Sequence, residues 1–247
     1  MVFVTLLRPM SSRPIRLSAP PPFELWLVPL VGEAAADIAL LDDQERARGA
    51  RFVFERDSRR YVAAHAALRR LLGQRLERAP ETLRFEVGAF GKPRLLGEPG
   101  CTFSLSHSGD HALVVTADGG DVGVDLEQLR ALPDIDALAR QCLTERERFH
   151  FDATPAAERE LSLLRAWTRK EACLKALGTG LQVEPASFEA GLDTREQRVL
   201  IDCGQGTREL VVRSFEPLSG WVAALAWAPD RPKEGMTTPG SNLYSLH

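Results

Sequence analysis

The sequence contains no long hydrophobic run, and this absence excludes a membrane-spanning helix. A helix that crosses a bilayer needs roughly 20 consecutive apolar residues, and no stretch of the 247 residues approaches that length. The apolar opening segment MVFVTLLRPMSS is interrupted by arginine and proline before any small-residue cleavage site. We therefore expect a cytoplasmic protein with no membrane partner.

Cysteine pairs and a strong net charge are also lacking. The four cysteines are scattered without a Cys-x-x-Cys pair, so the sequence signals neither a zinc site nor a disulfide framework. We expect the cysteines to be buried thiols. The formal net charge is only -3, whereas a domain that wraps nucleic acid is usually strongly basic. We therefore expect no nucleic-acid partner.

The composition and the residue spacing predict a globular α+β protein. Hydrophobic residues make up 44% of the chain and charged residues 26%, which is ordinary for a globular protein. Helical spacing predicts helices over residues 57–76, with Asp57 as N-cap, and over residues 156–177, ended by Gly178. Patterns typical of strands, separated by turn residues, occur at residues 23–29, 83–87, 102–106, 112–116, 122–126, 198–202, 209–215 and 221–227.

The two ends of the chain differ in composition from its middle. Residues 1–22 are rich in Pro, Ser and Arg, and residues 229–247 in Pro, Gly, Ser and Thr, so we expect a flexible N-terminal extension and a flexible C-terminal tail. Between them, we expect an N-terminal half over residues 23–118 and a C-terminal half over residues 119–228. The Asp-Gly-Gly turn at residues 118–120 marks the boundary.

Two carboxylates stand two residues apart in the apolar segment VGVDLE. A strand period of two places Asp125 and Glu127 on one face. Paired carboxylates on a rigid strand suit a hard divalent cation such as Mg²⁺. A solvated strand face is the alternative interpretation of so short a motif.

A longer motif, WTRKEACLKALGTGL, lies on the second predicted helix. Glu171 and Lys175 are four residues apart and share a face, and Trp167 lies one turn earlier. A surface salt bridge is the alternative, since such pairs are common on helices and contribute little to stability. A tryptophan on the same stretch favours a functional face.

Two further segments, FGKPRL and FSLSHSGDHALVV, place polar groups beside turns and strand ends. Gly and Pro in the first predict a tight turn that presents Lys92, and Ser106 and His107 crowd the end of an apolar strand. A solvated lysine and a structural histidine are the alternatives. No nucleophile elbow surrounds Ser106, which argues against a catalytic triad.

An arginine-rich region precedes these segments. Most of its arginines are expected to be surface charge, but one or two could bind phosphate oxygens in bidentate fashion. The region contains Arg46, Arg48, Arg51, Arg56, Arg59 and Arg60.

Taken in order, FGKP, SLSHSG, VGVDLE and WTRKEACLKALGTGL closely resemble the 4′-phosphopantetheinyl transferase superfamily, particularly its long Sfp-type members. The resemblance spans roughly residues 46–181, with a family-like β ending as far as residue 227. The holo-acyl-carrier-protein synthase type is disfavoured, because those chains are much shorter and trimerise to build a site. The resemblance implies two similar α+β halves packed as a pseudo-dimer, acting as a monomer with coenzyme A in the cleft between them.

The resemblance also implies roles for the acidic residues and for one lysine. Asp125, Glu127 and Glu171 would be the Mg²⁺ ligands, and Glu171 or Glu127 would also serve, directly or through water, as the base for the incoming serine. Lys175 would neutralise the coenzyme A diphosphate and so act in both binding and catalysis.

At the nucleotide end of coenzyme A, the resemblance implies a set of polar and basic contacts. Arginines in this set align with basic residues that family members place near the 3′-phosphate. Glu45 falls where some members carry another lysine, so the sequence departs from the family pattern there. The set consists of Arg48, Arg60, Lys92, Ser106 and His107.

The implied reaction transfers 4′-phosphopantetheine from coenzyme A to a serine of an apo acyl, peptidyl or aryl carrier protein. The serine attacks the β-phosphate and 3′,5′-ADP leaves, so a metal, a lysine and phosphate clamps are needed but no protein nucleophile. Two alternatives are a non-catalytic coenzyme A or carrier-protein binding module and a Mg²⁺-dependent nuclease or phosphohydrolase. The complete carboxylate set with Lys175 favours the transferase, whose pathway could be that of fatty-acid, polyketide or nonribosomal-peptide synthesis.

Overall fold

A computed structural model describes residues 13–31, 34–88, 91–204 and 206–229 of the chain. In chain order its strands are β1 (Ile15–Leu17), β2 (Glu24–Pro29), β3 (Phe85–Val87), β4 (Pro93–Leu95), β5 (Cys101–Ser108), β6 (His111–Asp118), β7 (Val122–Gln128), β8 (Gln197–Asp202), β9 (Thr207–Phe215) and β10 (Trp221–Trp227). Its α-helices are α1 (Ala34–Leu40), α2 (Asp43–Gly49), α3 (Glu55–Leu76), α4 (Ile135–Cys142), α5 (Glu145–Asp152) and α6 (Arg159–Leu177).

The strands form two four-stranded antiparallel sheets and one small hairpin. The first sheet has the order β1-β2-β6-β5, the second has the order β7-β10-β9-β8, and β3 pairs with β4. The predicted α+β fold class is therefore confirmed. None of the helices in the described ranges is long and apolar enough to cross a membrane.

Each large sheet packs against one long helix. In the first half, Leu68 and Leu72 of α3 contact Phe103 and Val114 of the first sheet within one buried cluster. In the second half, buried residues of α6 and of strands β8, β9 and β10 form another cluster. Each long helix covers its sheet because it presents an apolar face to that sheet.

The two sheets also meet each other through a buried cluster of their own. Leu113 and Val115 of β6 lie in this cluster with Val124 of β7 and Leu225 of β10. Strand β5 lies beside β7, and the Ser104 hydroxyl accepts a hydrogen bond of 3.1 Å from the backbone amide of Val124. The seam between the halves is therefore apolar at its centre and carries polar groups along β5 and β7.

Several local predictions need correction. Helix α3 begins at Glu55 with Phe54 as its N-cap residue, so Asp57 lies in the first turn and is not the cap. The second predicted helix begins at Arg159, after a short 3-10 helix, and ends as predicted at Gly178, whose φ is 72°. Only Cys142 and Cys173 are buried, whereas Cys101 and Cys203 are partly exposed.

The predicted flexible N-terminal extension is wrong for residues 15–17. These residues form β1, which pairs with β2 in the register Ile15 to Leu27 and Leu17 to Leu25. The backbone pairing and the contact of Leu17 with the cluster between the sheets hold this edge strand in place. Residues 1–12 and 230–247, which include most of the predicted tails, lie outside the described residues.

Candidate active site

A close approach of β7 to α6 brings the acidic segment and the lysine together. Gly123 lies so near α6 that an added Cβ would overlap the carbonyl oxygen of Ala172 and the amide of Ala176. Because glycine permits this contact, the side chains that follow it on β7 can reach those of α6. Two segments separated by more than forty residues in the sequence therefore share one site.

Asp125, Lys175 and Ser106 form a hydrogen-bonded triangle at this contact. The Lys175 Nζ donates to Asp125 Oδ1 at 2.6 Å and to the Ser106 Oγ at 3.0 Å. The Ser106 hydroxyl donates to the same Asp125 Oδ1 at 2.7 Å. Burial raises the pKa of Asp125 above its usual value, although Lys175 and Ser106 act in the opposite direction. Its other oxygen, Oδ2, is buried and has no hydrogen-bond partner among the described residues.

The other two predicted metal ligands lie near this triangle. Burial, followed by the charge of Asp125, raises the pKa of the Glu171 carboxyl. Glu127 Oε2 accepts a hydrogen bond of 3.0 Å from the Ser108 hydroxyl and another of 3.0 Å from Arg130. The Glu127–Arg130 contact was not predicted from the sequence, because no pattern there indicated a role for the turn after β7.

The donor set fits a hard divalent cation. No group of three or more His, Cys, Asp or Glu side chains within the described ranges is arranged as a ready metal cage. However, Asp125 has an unpartnered oxygen in a buried region, and burial, followed by the negative charge of Asp125, raises the pKa of Glu171. A cation with a preference for carboxylate oxygens would satisfy the orphan atom and relieve this repulsion.

A cavity of about 520 Å³ opens beside the triangle. It lies between the two halves, because its walls come from α2, α3, β5 and α6. Of the predicted site residues it is lined by Arg48, Lys92, Ser106, His107, Glu171 and Lys175. A ligand in this cavity would therefore contact most of the predicted set at once.

The opposite side of α6 is anchored by the two residues that precede Glu171. The Lys170 ammonium is fully buried and contacts Glu147 at 2.6 Å and the carbonyl oxygens of Pro185 and Phe188 at 2.7 and 2.6 Å. Arg169 is also fully buried and donates to the carbonyl oxygen of Asp193 at 3.1 Å. These two residues of the WTRKEAC segment are structural, since both are fully buried and the hydrogen bonds that they donate are made away from the cavity.

Comparison with known proteins agrees with this arrangement. A family model described as the 4′-phosphopantetheinyl transferase superfamily matches residues 121–226, and one described as 4′-phosphopantetheinyl transferase, N-terminal, matches residues 26–119. The 4′-phosphopantetheinyl transferase HetI of Nostoc sp. strain PCC 7120 is 36% identical over 163 residues, which cover 64% of this chain and 69% of HetI. The chain belongs to the 4′-phosphopantetheinyl transferase superfamily. These matches confirm the family and the activity that the four sequence segments predict.

Two more distant relatives carry related names. The 4′-phosphopantetheinyl transferase psf-1 of Bacillus pumilus is 31% identical over 157 residues, covering 64% of this chain and 66% of psf-1. The L-aminoadipate-semialdehyde dehydrogenase-phosphopantetheinyl transferase of Homo sapiens is 25% identical over 197 residues, covering 72% of this chain and 63% of that protein. The similarity thus extends across bacterial and animal members of the superfamily.

Lys92 of this transferase is held by backbone groups at the seam between the halves. Its Nζ donates to the carbonyl oxygens of Val122 at 3.0 Å and of Ala176 at 2.8 Å, and its alkyl chain packs beside Gly178. Burial lowers the pKa of Lys92 to about 8. The ammonium joins β7 to the end of α6, and its contact with a nucleotide stays a prediction.

Arg60, another of the predicted phosphate ligands, is paired with two carboxylates. Its Nε and one terminal nitrogen donate to Asp110 Oδ1 at 2.9 and 2.7 Å, and its other terminal nitrogen lies 3.5 Å from Asp57 Oδ1. Arg60 is also not among the residues that line the cavity. Its role as a phosphate ligand stays a prediction that would require exchange of these partners.

His107 and Arg48 both line the cavity, and their contact with a nucleotide stays a prediction. Partial desolvation, followed by the charges of His65, Lys175 and Arg60, lowers the pKa of His107. The Arg48 guanidinium lies 5.8 Å from the ring centroid of Tyr61 and is exposed at the cavity wall. Both side chains can reach a ligand without breaking an ion pair that the structure shows.

The cavity also contains residues that sequence reasoning missed, and Glu45 lies behind them. Tyr61 and His65 line the cavity, and neither was assigned a function from the sequence. Glu45 accepts hydrogen bonds from Arg69 Nε at 2.7 Å, from the Asp42 amide at 3.0 Å and from His65 at 3.1 Å. The spacing of Tyr61 and His65, four residues apart on one helix face, was the available signal.

Proposed function

We propose that this transferase binds Mg²⁺ at Asp125, Glu127 and Glu171 and takes its phosphopantetheine group from coenzyme A. The observation that carries this proposal is the unpartnered, buried Oδ2 of Asp125 beside Lys175 at the edge of the cavity. When bound, the metal ion would supply charge neutralisation for a diphosphate. The acceptor is a serine of an apo carrier protein, which gains the group.

Lys175 is the protein's own cation for the coenzyme A diphosphate. Its ammonium is held at the cavity wall by Asp125 and Ser106, so it is positioned before any ligand arrives. A cation fixed in advance stabilises developing negative charge without reorganisation at the moment of reaction. The hydroxyl of Ser106, on β5, keeps Lys175 and Asp125 in register across the seam.

Glu171 is the better placed of the two candidate bases. It lines the cavity, whereas Glu127 is occupied by Ser108 and Arg130. The carrier serine transfers its hydroxyl proton to the base, its oxygen bonds to the β-phosphorus, and the bond from that phosphorus to the bridging oxygen breaks. The leaving 3′,5′-ADP takes the electron pair. Base assistance of this kind contributes roughly 10²–10⁴-fold.

The nucleotide end of coenzyme A occupies the part of the cavity formed by Arg48, Lys92, Ser106 and His107, with Arg60 nearby. We further propose that the protein is cytoplasmic. We also propose that it acts as a monomer, because one chain supplies both walls of the cavity. Its carriers belong to fatty-acid, polyketide or nonribosomal-peptide synthesis.

Intact-mass analysis of apo carrier proteins tests the proposal directly. Several carriers are incubated with the protein, coenzyme A and Mg²⁺, and each accepted carrier should gain the mass of one phosphopantetheine group. A carrier whose acceptor serine is replaced by alanine, and a reaction with a metal chelator, should show no gain. Absence of any mass gain, or cleavage of added nucleic acid instead, would contradict the proposal.

A further inference from the structure

A histidine and a buried carboxylate form a pair in the wall of the cavity. His65 Nδ1 lies 3.1 Å from Glu45 Oε1, and the His65 ring lies on Tyr61 with their centroids 4.1 Å apart. His65 lines the cavity, and its side chain keeps 20% exposure. The imidazole is therefore fixed in orientation yet open to a ligand on one side.

The carboxylate of this pair is ionised and leaves one ring nitrogen unused. Burial opposes ionisation of Glu45, but the hydrogen bonds from His65 and the Asp42 amide and the charge of Arg69 outweigh it and lower the pKa of Glu45. An ionised carboxylate only accepts hydrogen bonds, so Nδ1 must carry the proton. Nε2 is then the ring nitrogen that remains for a ligand.

The chemistry of phosphate decides the protonation state of a bound complex. In the neutral imidazole, with Nδ1 protonated, Nε2 has a lone pair and would repel a phosphate oxygen, which is also an acceptor. A hydrogen bond from Nε2 to phosphate requires a proton on both ring nitrogens. We propose that His65 binds the 3′-phosphate of coenzyme A as an imidazolium, so that binding takes up a proton from the buffer.

This assignment rests on the proposed use of coenzyme A, and it changes which cations surround the 3′-phosphate. Arg60, expected there from the family resemblance, is paired with Asp110, whereas His65 and Arg48 line the cavity. The diphosphate is assigned to Lys175, which lies on α6, so the wall formed by α2 and α3 is free for the second anionic group. Glu45, where some family members carry lysine, is the group that holds His65 in place.

Other charged groups lie around His65, and their charges also act on its protonation. Helix α2 contributes Glu45 and Arg48, and Asp42 is its N-cap residue. Helix α3 contributes Arg69, and β5 contributes His107. Arg69 is fully buried and bonded to Glu45 and Asp42, so it responds little to a ligand. His107 is the second histidine that lines the cavity in the described part of the chain, and it is the necessary control.

Titration calorimetry in two buffers of different ionisation enthalpy measures the proton uptake. The ligands are coenzyme A and dephospho-coenzyme A, and the proteins are wild type, His65→Gln and His107→Gln. At about pH 7.5 a phosphate monoester is mostly dianionic, so proton uptake reports on the protein. Thermal unfolding of each variant verifies that it is folded.

We expect wild type to take up a substantial fraction of one proton with coenzyme A and less with dephospho-coenzyme A. This difference should disappear in His65→Gln and persist in His107→Gln. Gln can still donate a neutral hydrogen bond, and loss of the charge-assisted bond should reduce the preference for coenzyme A about tenfold. Three results would overturn the assignment. The difference in proton uptake between the two ligands could persist in His65→Gln, be lost only in His107→Gln, or be absent from wild type.

Two outcomes separate this inference from the proposed function. Coenzyme A that fails to bind wild type at all would overturn the proposed function and the inference with it, whereas binding without proton uptake overturns the inference alone. If His65→Gln does not fold, uptake that requires the 3′-phosphate and survives in His107→Gln supports His65. If this proton uptake is instead lost in His107→Gln, the proton is assigned to His107 and the proposal is refuted.

Discussion

At the scale of single residues, the site holds more negative charge than its described neighbours neutralise. One oxygen of Asp125 is bonded to Lys175 and Ser106, but the other is buried without a partner among the residues described. Burial and the charge of Asp125 raise the pKa of Glu171. In the metal-free protein these carboxylates therefore cost stability at neutral pH, which is typical of sites arranged for function.

Replacing Glu171 with glutamine should separate function from stability. We expect Glu171→Gln to lower kcat at least about 100-fold, the scale for removing one preorganised charge-stabilising group. The free energy of unfolding should stay level or rise, because the change removes repulsion with Asp125. Transfer assays and urea unfolding measure the two effects, and Glu209→Gln, at the surface pair with Arg198, is the control that should change neither. Activity near wild type at saturating Mg²⁺ would contradict the metal assignment.

His111 is a second residue whose surroundings predict a measurable effect. It is 7% exposed, neither ring nitrogen has a partner among the described residues, and its ring packs edge-on against Trp221. Burial lowers the pKa of His111 below its usual value. The unfolded chain therefore binds a proton at higher pH than the folded protein does, so the stability from neutral His111 is lost as pH falls below about 6.5.

We expect His111→Phe to flatten the acid side of the stability curve. Phenylalanine keeps a ring against Trp221 but cannot bind a proton. Urea unfolding of both proteins at a series of pH values should show the variant gaining stability relative to wild type as pH decreases from about 7 to 5. A constant difference across that range would show that His111 does not titrate between the folded and unfolded states.

At the scale of elements, the contact between β7 and α6 has no room for a side chain at residue 123. We expect Gly123→Ala to destabilise the protein by about 1–3 kcal/mol or more, because the added Cβ meets rigid backbone. Transfer activity should fall as well, since a displaced α6 moves Lys175 from Asp125. Gly100→Ala is the matched control, because its added Cβ would have no neighbour within 4 Å. Equal stability of the two variants would show that the contact is looser than described.

Helix α6 uses one side for the site and the other for anchoring. Lys170→Met leaves the buried Glu147 without its ion-pair partner, so we expect a loss of about 3–5 kcal/mol in the free energy of unfolding. Arg198→Met, at an exposed pair, should cost less than about 1 kcal/mol. Chemical denaturation compares the two, and a small cost for Lys170→Met would mean that Glu147 finds another cation.

At the scale of the whole molecule, the two halves share a core and should unfold together. The cluster between the sheets contains Leu25 and Val115 from the first half and Leu126 and Leu225 from the second. We expect a single urea transition, with coincident midpoints by circular dichroism and by tryptophan fluorescence. Trp26 lies in the first sheet and Trp221 in the second, so fluorescence reports on both halves. Separate transitions would show that the halves are independent.

Local patterns in the sequence predicted the two long helices, α3 and α6, and eight of the ten strands, but not the four shorter helices. They also placed the candidate site residues on these elements, and the roles of those residues stay predictions. The apolar spacing of α3 and α6, the stop at Gly178 and the alternation in VGVDLE depend on residues close together in the chain, so they could be interpreted without a partner segment. The same patterns missed β1, because three residues of an edge strand carry little periodicity and are held by pairing with β2. They also misplaced the start of α3, since no side chain caps it.

The partners of each charged group depended on contacts between distant segments. Arg60 is separated from its partner Asp110 by 50 residues in the sequence, and Lys92 from the Ala176 carbonyl by 84 residues. Glu45 is separated from His65 by 20 residues. No local spacing in the sequence therefore reveals these three contacts. The sequence indicated which residue types could bind a phosphate or a metal. The packing of α3 and α6 around the seam selected which of those groups face the cavity and which are already occupied, because hydrogen bonding depends on distance in space and not on position along the chain.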